Sequence, residues 1–129
     1  MEDSPIGPVS DPRREILLSG LDDWVSLAEA RSLVQESLPP AATARDVRSR
    51  TLSVVDGLLR DGLMDAGHLR PRFVAWDGAP DDVLQRIAGE WPAEDEVRVG
   101  EICWLASTPA GKALAHRLAD RDDSAGGHP

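Results

Sequence analysis

This chain predicts a mainly helical α+β domain with a small antiparallel sheet, and three observations carry that prediction. Apolar stripes at helical spacing recur along it, each opened by a capping residue or a proline. Between them lie apolar runs too short for helices and bounded by glycine, which read as short strands. Its size and composition, 129 residues with 41% hydrophobic and 29% charged, are those of one ordinary globular domain.

The elements follow in order. Residues 1–10 and 120–129 are rich in proline, glycine, serine and acids, so both ends are expected to be disordered and the domain to span 11–119. Asp11 before Pro12 is an N-cap followed by proline at the first helical position, and Gly20 is a stop after Ile16, Leu17 and Leu18. Trp24 and Val25 are bulky residues suited to one rung of a sheet. Ser26 and Glu29 stand at capping-box spacing and open a second helix, whose stripe is Leu27, Ala30, Leu33, Val34 and Leu38 before Pro39-Pro40 ends it. Thr43 caps the longest helix, with Val47, Thr51, Val54, Val55, Leu58 and Leu59 on its inner face. That helix stops at Asp61-Gly62, and Leu63-Met64 lead into a strand running to Leu69. A further strand is expected within Val97 to Ala106, around Ile102, Cys103, Trp104 and Leu105. Thr108-Pro109 opens the last helix, which carries Ala113, Leu114, Ala115, Leu118 and Ala119.

Three phrases resemble a winged helix-turn-helix domain. WVSLAEARSLV (Trp24 to Val34) looks like the small strand and second helix, and VVDGLLRDGLM (Val54 to Met64) looks like the end of the recognition helix with its exit into the wing. CWLASTPAGKALA (Cys103 to Ala115) is similar to the returning wing strand and the Thr-Pro-x-Gly start of a closing helix. The resemblance spans about residues 11–119 and implies a three-helix core, a small sheet and a C-terminal helix. The departure lies between the wing strands, where the family has a short loop and this chain has an insertion of about 70–101.

The insertion has its own character. Pro80, Asp81 and Asp82 open a helix in which Val83, Leu84, Ile87 and Trp91 recur at helical spacing, and Pro92 ends it. From Asp77 to Glu101 it holds eight acids against Arg86 and Arg98, so much of the chain's net charge of −9 sits there. In place of a wing, this segment sets a negative field beside the surface with which winged helices approach phosphate. Acids at a helix start also complement its dipole, and an acidic loop is often only a solvated face.

The chemistry the sequence excludes is broad. One cysteine, Cys103, makes neither an intrachain disulfide nor a thiolate metal cluster, and its expected place in a core strand makes it a small hydrophobe rather than a nucleophile. His68, His116 and His128 have no partner histidine at ligand spacing, and His116 reads as a group near a helix C-terminus. Gly111-Lys112 fails as a phosphate loop because Ala106 stands at the required earlier glycine and Ala113 follows the lysine. No catalytic residue, metal or cofactor is expected. No run approaches the ~20 apolar residues of a membrane span, and the acidic Met1-Glu2-Asp3 start is unlike an export signal, so a cytoplasmic location is expected. A single lysine and no asparagine or tyrosine fit GC-rich coding, as in a high-GC bacterium.

Two functions remain. The first is a non-catalytic interaction module, immunity-like, antitoxin-like or a regulatory adaptor, which binds a basic protein partner through Trp76, Asp77, Asp81, Asp82, Glu94, Asp95 and Glu96. Trp76, in the loop phrase FVAWDGAP, is expected to be the partly exposed tryptophan, while Trp91 and Trp104 fill the core. The alternative is a winged-helix DNA-binding regulator, in which Arg45, Arg48 and Arg50 contact phosphates or base edges and Arg13 and Arg14 extend the patch. The excess of 23 acidic over 14 basic residues disfavours nucleic acid. A monomer or a homodimer fits either function.

Overall fold

The computed structural model describes residues 11–69, 72–91 and 102–126, with side chains to residue 121 in the last segment. Its elements are α1 (Pro12–Ser19), β1 (Val25–Ser26), α2 (Leu27–Glu36), α3 (Ala44–Arg60), β2 (Met64–Leu69), β3 (Phe73–Ala75), α4 (Pro80–Glu90), β4 (Trp104–Ser107) and α5 (Pro109–Gly126). The fold is therefore α+β and mainly helical, with one small antiparallel sheet.

The caps form where the sequence places them. Asp11 accepts from the Arg13 N–H at 3.1 Å, and Thr43 and Asp46 close a full capping box at 3.1 and 2.9 Å. Those bonds also hold the Asp46 carboxyl below its ordinary range, first through the Thr43 backbone and then through its hydroxyl. At α2 only half the expected box appears. Ser26 Oγ accepts from the Glu29 N–H at 3.0 Å, but the Glu29 carboxylate accepts instead from Ser19 Oγ at the end of α1. Its reach is used to join two helices rather than to close one.

The sheet order is β1-β4-β2-β3, all antiparallel. β4 lies between Val25 of β1 and Ala66 of β2, both opposite Leu105. These three side chains face the core, where Leu105 and Val25 are fully buried, while Trp104 and Ser26 pair on the other face. Around them Ile16, Leu27, Val34, Val55, Leu58, Ile87 and Ala115 complete one cluster drawn from all five described helices.

Four expectations are corrected. β4 runs Trp104–Ser107, so Cys103 sits just before it rather than within it, and Val97–Gly100 lie outside the described residues. The insertion contributes a strand that its three residues did not signal: Phe73–Ala75 pairs with β2 in the register Gly67↔Ala75 and Leu69↔Phe73. The last helix does not stop at 119 but continues to Gly126, so the expected disordered tail of 120–129 begins as helix. His116 is accordingly an exposed mid-helix residue, seven positions after Pro109 and ten before Gly126.

The start of α5 is built on a backbone contact. Thr108 donates its N–H to Leu63 O at 3.0 Å and its hydroxyl to Gly62 O at 2.6 Å, while its Oγ accepts from the Gly111 N–H at 3.0 Å. Gly62 has φ +69°, the left-handed turn that glycine adopts without strain. At Gly111 the helix passes so near the α3–β2 turn that a Cβ would lie 1.9 Å from Leu63 O. The Thr-Pro-x-Gly phrase is thus a docking joint between helix and sheet.

Candidate functional site

The insertion folds down onto α3. Arg48, in the first half of α3, donates from Nη2 to Ala88 O at 2.8 Å and from Nε to Trp91 O at 3.1 Å. These are carbonyls at the C-terminal end of α4, where helix carbonyls lack partners and a cation is favoured. Its guanidinium also stands 6.0 Å from the Trp91 ring, which is itself buried. At the other end Arg60, held by Asp56 at 2.8 Å, pairs with Asp81 in the first turn of α4. The two fastenings set α4 antiparallel along α3, with Val83 and Ile87 buried beneath it.

The expected contact residues divide accordingly. Arg48 is occupied inside the molecule, while Arg45 and Arg50 are exposed and form no ion pair among the described residues. Arg13 is drawn to Asp61 at 2.5 Å, bridging α1 to the end of α3, and Arg14 pairs with Glu15 at 2.9 Å. Of the acids, Asp81 is tied to Arg60, and Asp82 caps α4 by accepting from the Ala79 N–H at 3.2 Å, while Ala79 offers no side-chain oxygen to the first-turn N–H groups. Asp77 is exposed and unpaired among the described residues. Glu94, Asp95 and Glu96 lie outside the described residues, as does His128.

Trp76 is half-buried and committed. Its Nε1 donates to His68 Nδ1 at 3.1 Å, with the two rings edge to face at 5.0 Å, and the Arg86 guanidinium lies 3.8 Å above its indole. Arg86 in turn donates to Glu90 at 3.2 Å. This cluster joins β2, the β3–α4 loop and α4, and gives His68 a structural task.

The exposed tryptophan is instead Trp24, at 40% of its surface, immediately before β1. It stands between two grooves. The larger, about 490 Å³, is lined by Asp22, Asp23, Trp24, Ser26, Glu29 and Trp104. The smaller, about 320 Å³, shares Asp22, Asp23 and Trp24 and adds Ser107 and Lys112. As a bulky, strand-favouring residue, Trp24 is expected to share a sheet rung with Val25. β1 starts one residue later, and Trp24 turns outward while its N–H donates to Asp23 Oδ1 at 2.8 Å.

The Cys103 thiol is buried and pushed up to about 12, chiefly by desolvation and secondarily by Glu90, with Arg86 opposing. A thiol so held is a poor nucleophile at neutral pH. Among the described residues no three His, Cys, Asp or Glu side chains gather as for a metal ion, and no helix is long and apolar enough to cross a membrane. No family model, curated protein or solved structure matches the chain.

Proposed function

We propose that this chain is a non-catalytic protein-interaction module that binds a basic partner protein. The observation that carries the reading is the fastening of α4 along α3. In a winged-helix arrangement α3 is the recognition helix, and the strand order β1-β4-β2 supports that arrangement. Here an acidic helix lies against its flank and Arg48, the central cation of the expected patch, is spent on α4 carbonyls. A duplex meeting α3 also meets α4, whose three acids against the single Arg86 leave the helix net negative, and like charge repels phosphate. The excess of acids that disfavours a polyanion favours a polycation, raising encounter rate and selectivity.

The regulator reading rests on Arg45 and Arg50, which stay exposed on α3. One experiment separates the two. The chain is titrated with polyarginine and with a mixed-sequence duplex at ~50 and ~150 mM salt, where screening of exposed charges differs. The interaction reading expects polyarginine binding that weakens with salt and no duplex shift. A duplex shift at ~50 mM salt that Arg45→Ala and Arg50→Ala abolish would replace it with the regulator.

A further inference from the structure

We infer that the groove beside Trp24 is the seat of an arginine side chain presented by an extended segment of the basic partner. The inference rests on the proposed interaction module and names where that partner is read.

The molecule supplies its own template. On the insertion, Arg86 stacks over the Trp76 indole at 3.8 Å while its Nε–H bonds Glu90 at 3.2 Å, so one guanidinium is held by a ring face and a carboxylate together. The Trp24 groove repeats the receiving half of that arrangement without a cation. Trp24 is exposed, Trp104 lines the same cavity, and Asp22, Asp23 and Glu29 border it. Among the described residues no Lys or Arg lines this larger cavity, and Asp22 makes no ion pair. Glu29 is already bonded by Ser19 and Asp23 by a backbone N–H, which fixes their carboxylates at the rim. Both grooves meet at Asp22–Trp24, so an extended segment can cross the loop with one side chain on either side of the ring. Guanidinium fits better than ammonium because its plane stacks on an indole while its edge donates to a carboxylate. The complementarity of charge, an anionic cavity in a chain of net −9, selects a cationic occupant over an apolar one.

The test is calorimetric titration of the intact chain with a short capped peptide carrying two arginines, beside the same peptide with two lysines and with two glutamates. The expected order is arginine over lysine, with no glutamate binding. Trp24→Ala should weaken arginine-peptide binding at least about tenfold, as loss of an aromatic anchor does. Asp22→Asn with Asp23→Asn should weaken it less and flatten its salt dependence. Trp24 is 40% exposed and still buries part of its ring, so the variants are compared at a temperature where melting shows each to be folded, and Trp24→Phe, which keeps a ring, should restore part of the affinity. Equal affinity of wild type and Trp24→Ala overturns the groove. If Glu94→Lys, Asp95→Lys and Glu96→Lys then abolish that binding, the interaction module stands with its partner on the insertion. Absence of binding to either basic peptide, with polyarginine bound, likewise overturns the groove alone. Absence of binding to polyarginine as well overturns both.

Discussion

Replacing Arg48 with alanine distinguishes a clamp from a DNA contact. In the structure this side chain makes two charge-assisted hydrogen bonds to carbonyls at the end of α4, at 2.8 and 3.1 Å. Bonds to a charged group contribute ~1.5–3 kcal/mol each, and a half-buried site with some access to water takes the low end of that range, so the pair is worth about 3 kcal/mol. Because Trp91 is buried, its carbonyl is poorly placed to find water once the guanidinium is gone. The loss should therefore appear as a lowered urea midpoint and as faster amide exchange over 80–91, with the core of α2 and β2 exchanging as before. Arg48→Lys keeps the charge but not the two-pronged donor and should recover less than half of the loss. A change in stability below about 0.5 kcal/mol, with exchange over α4 unaltered, would refute the clamp, because that is the range of ordinary surface substitutions.

Three further outcomes follow from local geometry. Gly111→Ala should cost more than about 2 kcal/mol by urea unfolding, since its Cβ would stand 1.9 Å from Leu63 O and α5 would have to lift from the α3–β2 turn. Ser107→Ala should be neutral or stabilising by about 1 kcal/mol, because Ser107 Oγ is buried with no hydrogen-bond partner among the described residues; a loss of that size instead would show that the hydroxyl is bonded. The Cys103 thiol, raised to about 12, stays protonated in the native state where the unfolded chain has released its proton, so stability should fall as pH rises from the ordinary thiol range toward that value. Chemical denaturation of Cys103→Ala across that window should show a shallower slope, and native Cys103 should resist a thiol reagent until the chain unfolds.

Much of the fold was legible because its signals are local. Asp11-Pro12, Thr43 with Asp46, and Pro80 with Asp82 each open a helix through bonds spanning no more than three residues. Gly62 marks a turn whose φ only glycine adopts freely. What stayed hidden depends on partners distant in sequence. Phe73–Ala75 is a strand because β2 offers it an edge, and three residues carry no periodicity of their own. Arg48 and Arg60 share a helix with Arg45 and Arg50, and nothing in the spacing says that the first two face α4, 21 to 43 residues onward. Trp24 and Trp76 exchanged roles for the same reason: Trp76 is secured by His68 and Arg86, and only the tertiary fold brings those side chains together.

These placements change how the chain's charge is to be understood. Of its arginines, Arg13 joins α1 to the end of α3, Arg48 and Arg60 hold α4 to α3, and Arg86 holds Trp76. A chain with few cations uses several of them as fasteners between its own elements. Arg13, Arg60 and Arg86 each pair with an acid and Arg48 occupies a helix terminus, while Asp22 and Asp77 remain exposed and unpaired among the described residues. Net charge alone predicts a diffuse repulsion of polyanions. Its distribution says more, because the anionic groups left over at Asp22 and Asp23 coincide with the one large exposed indole, Trp24, and with the two cavities beside it. Desolvated contact between a ring and a cation contributes more than exposed charge pairs, which are worth roughly 0–1 kcal/mol. On the proposed interaction reading, specific recognition falls to the Trp24 groove, and the remaining acids would draw a basic partner toward it.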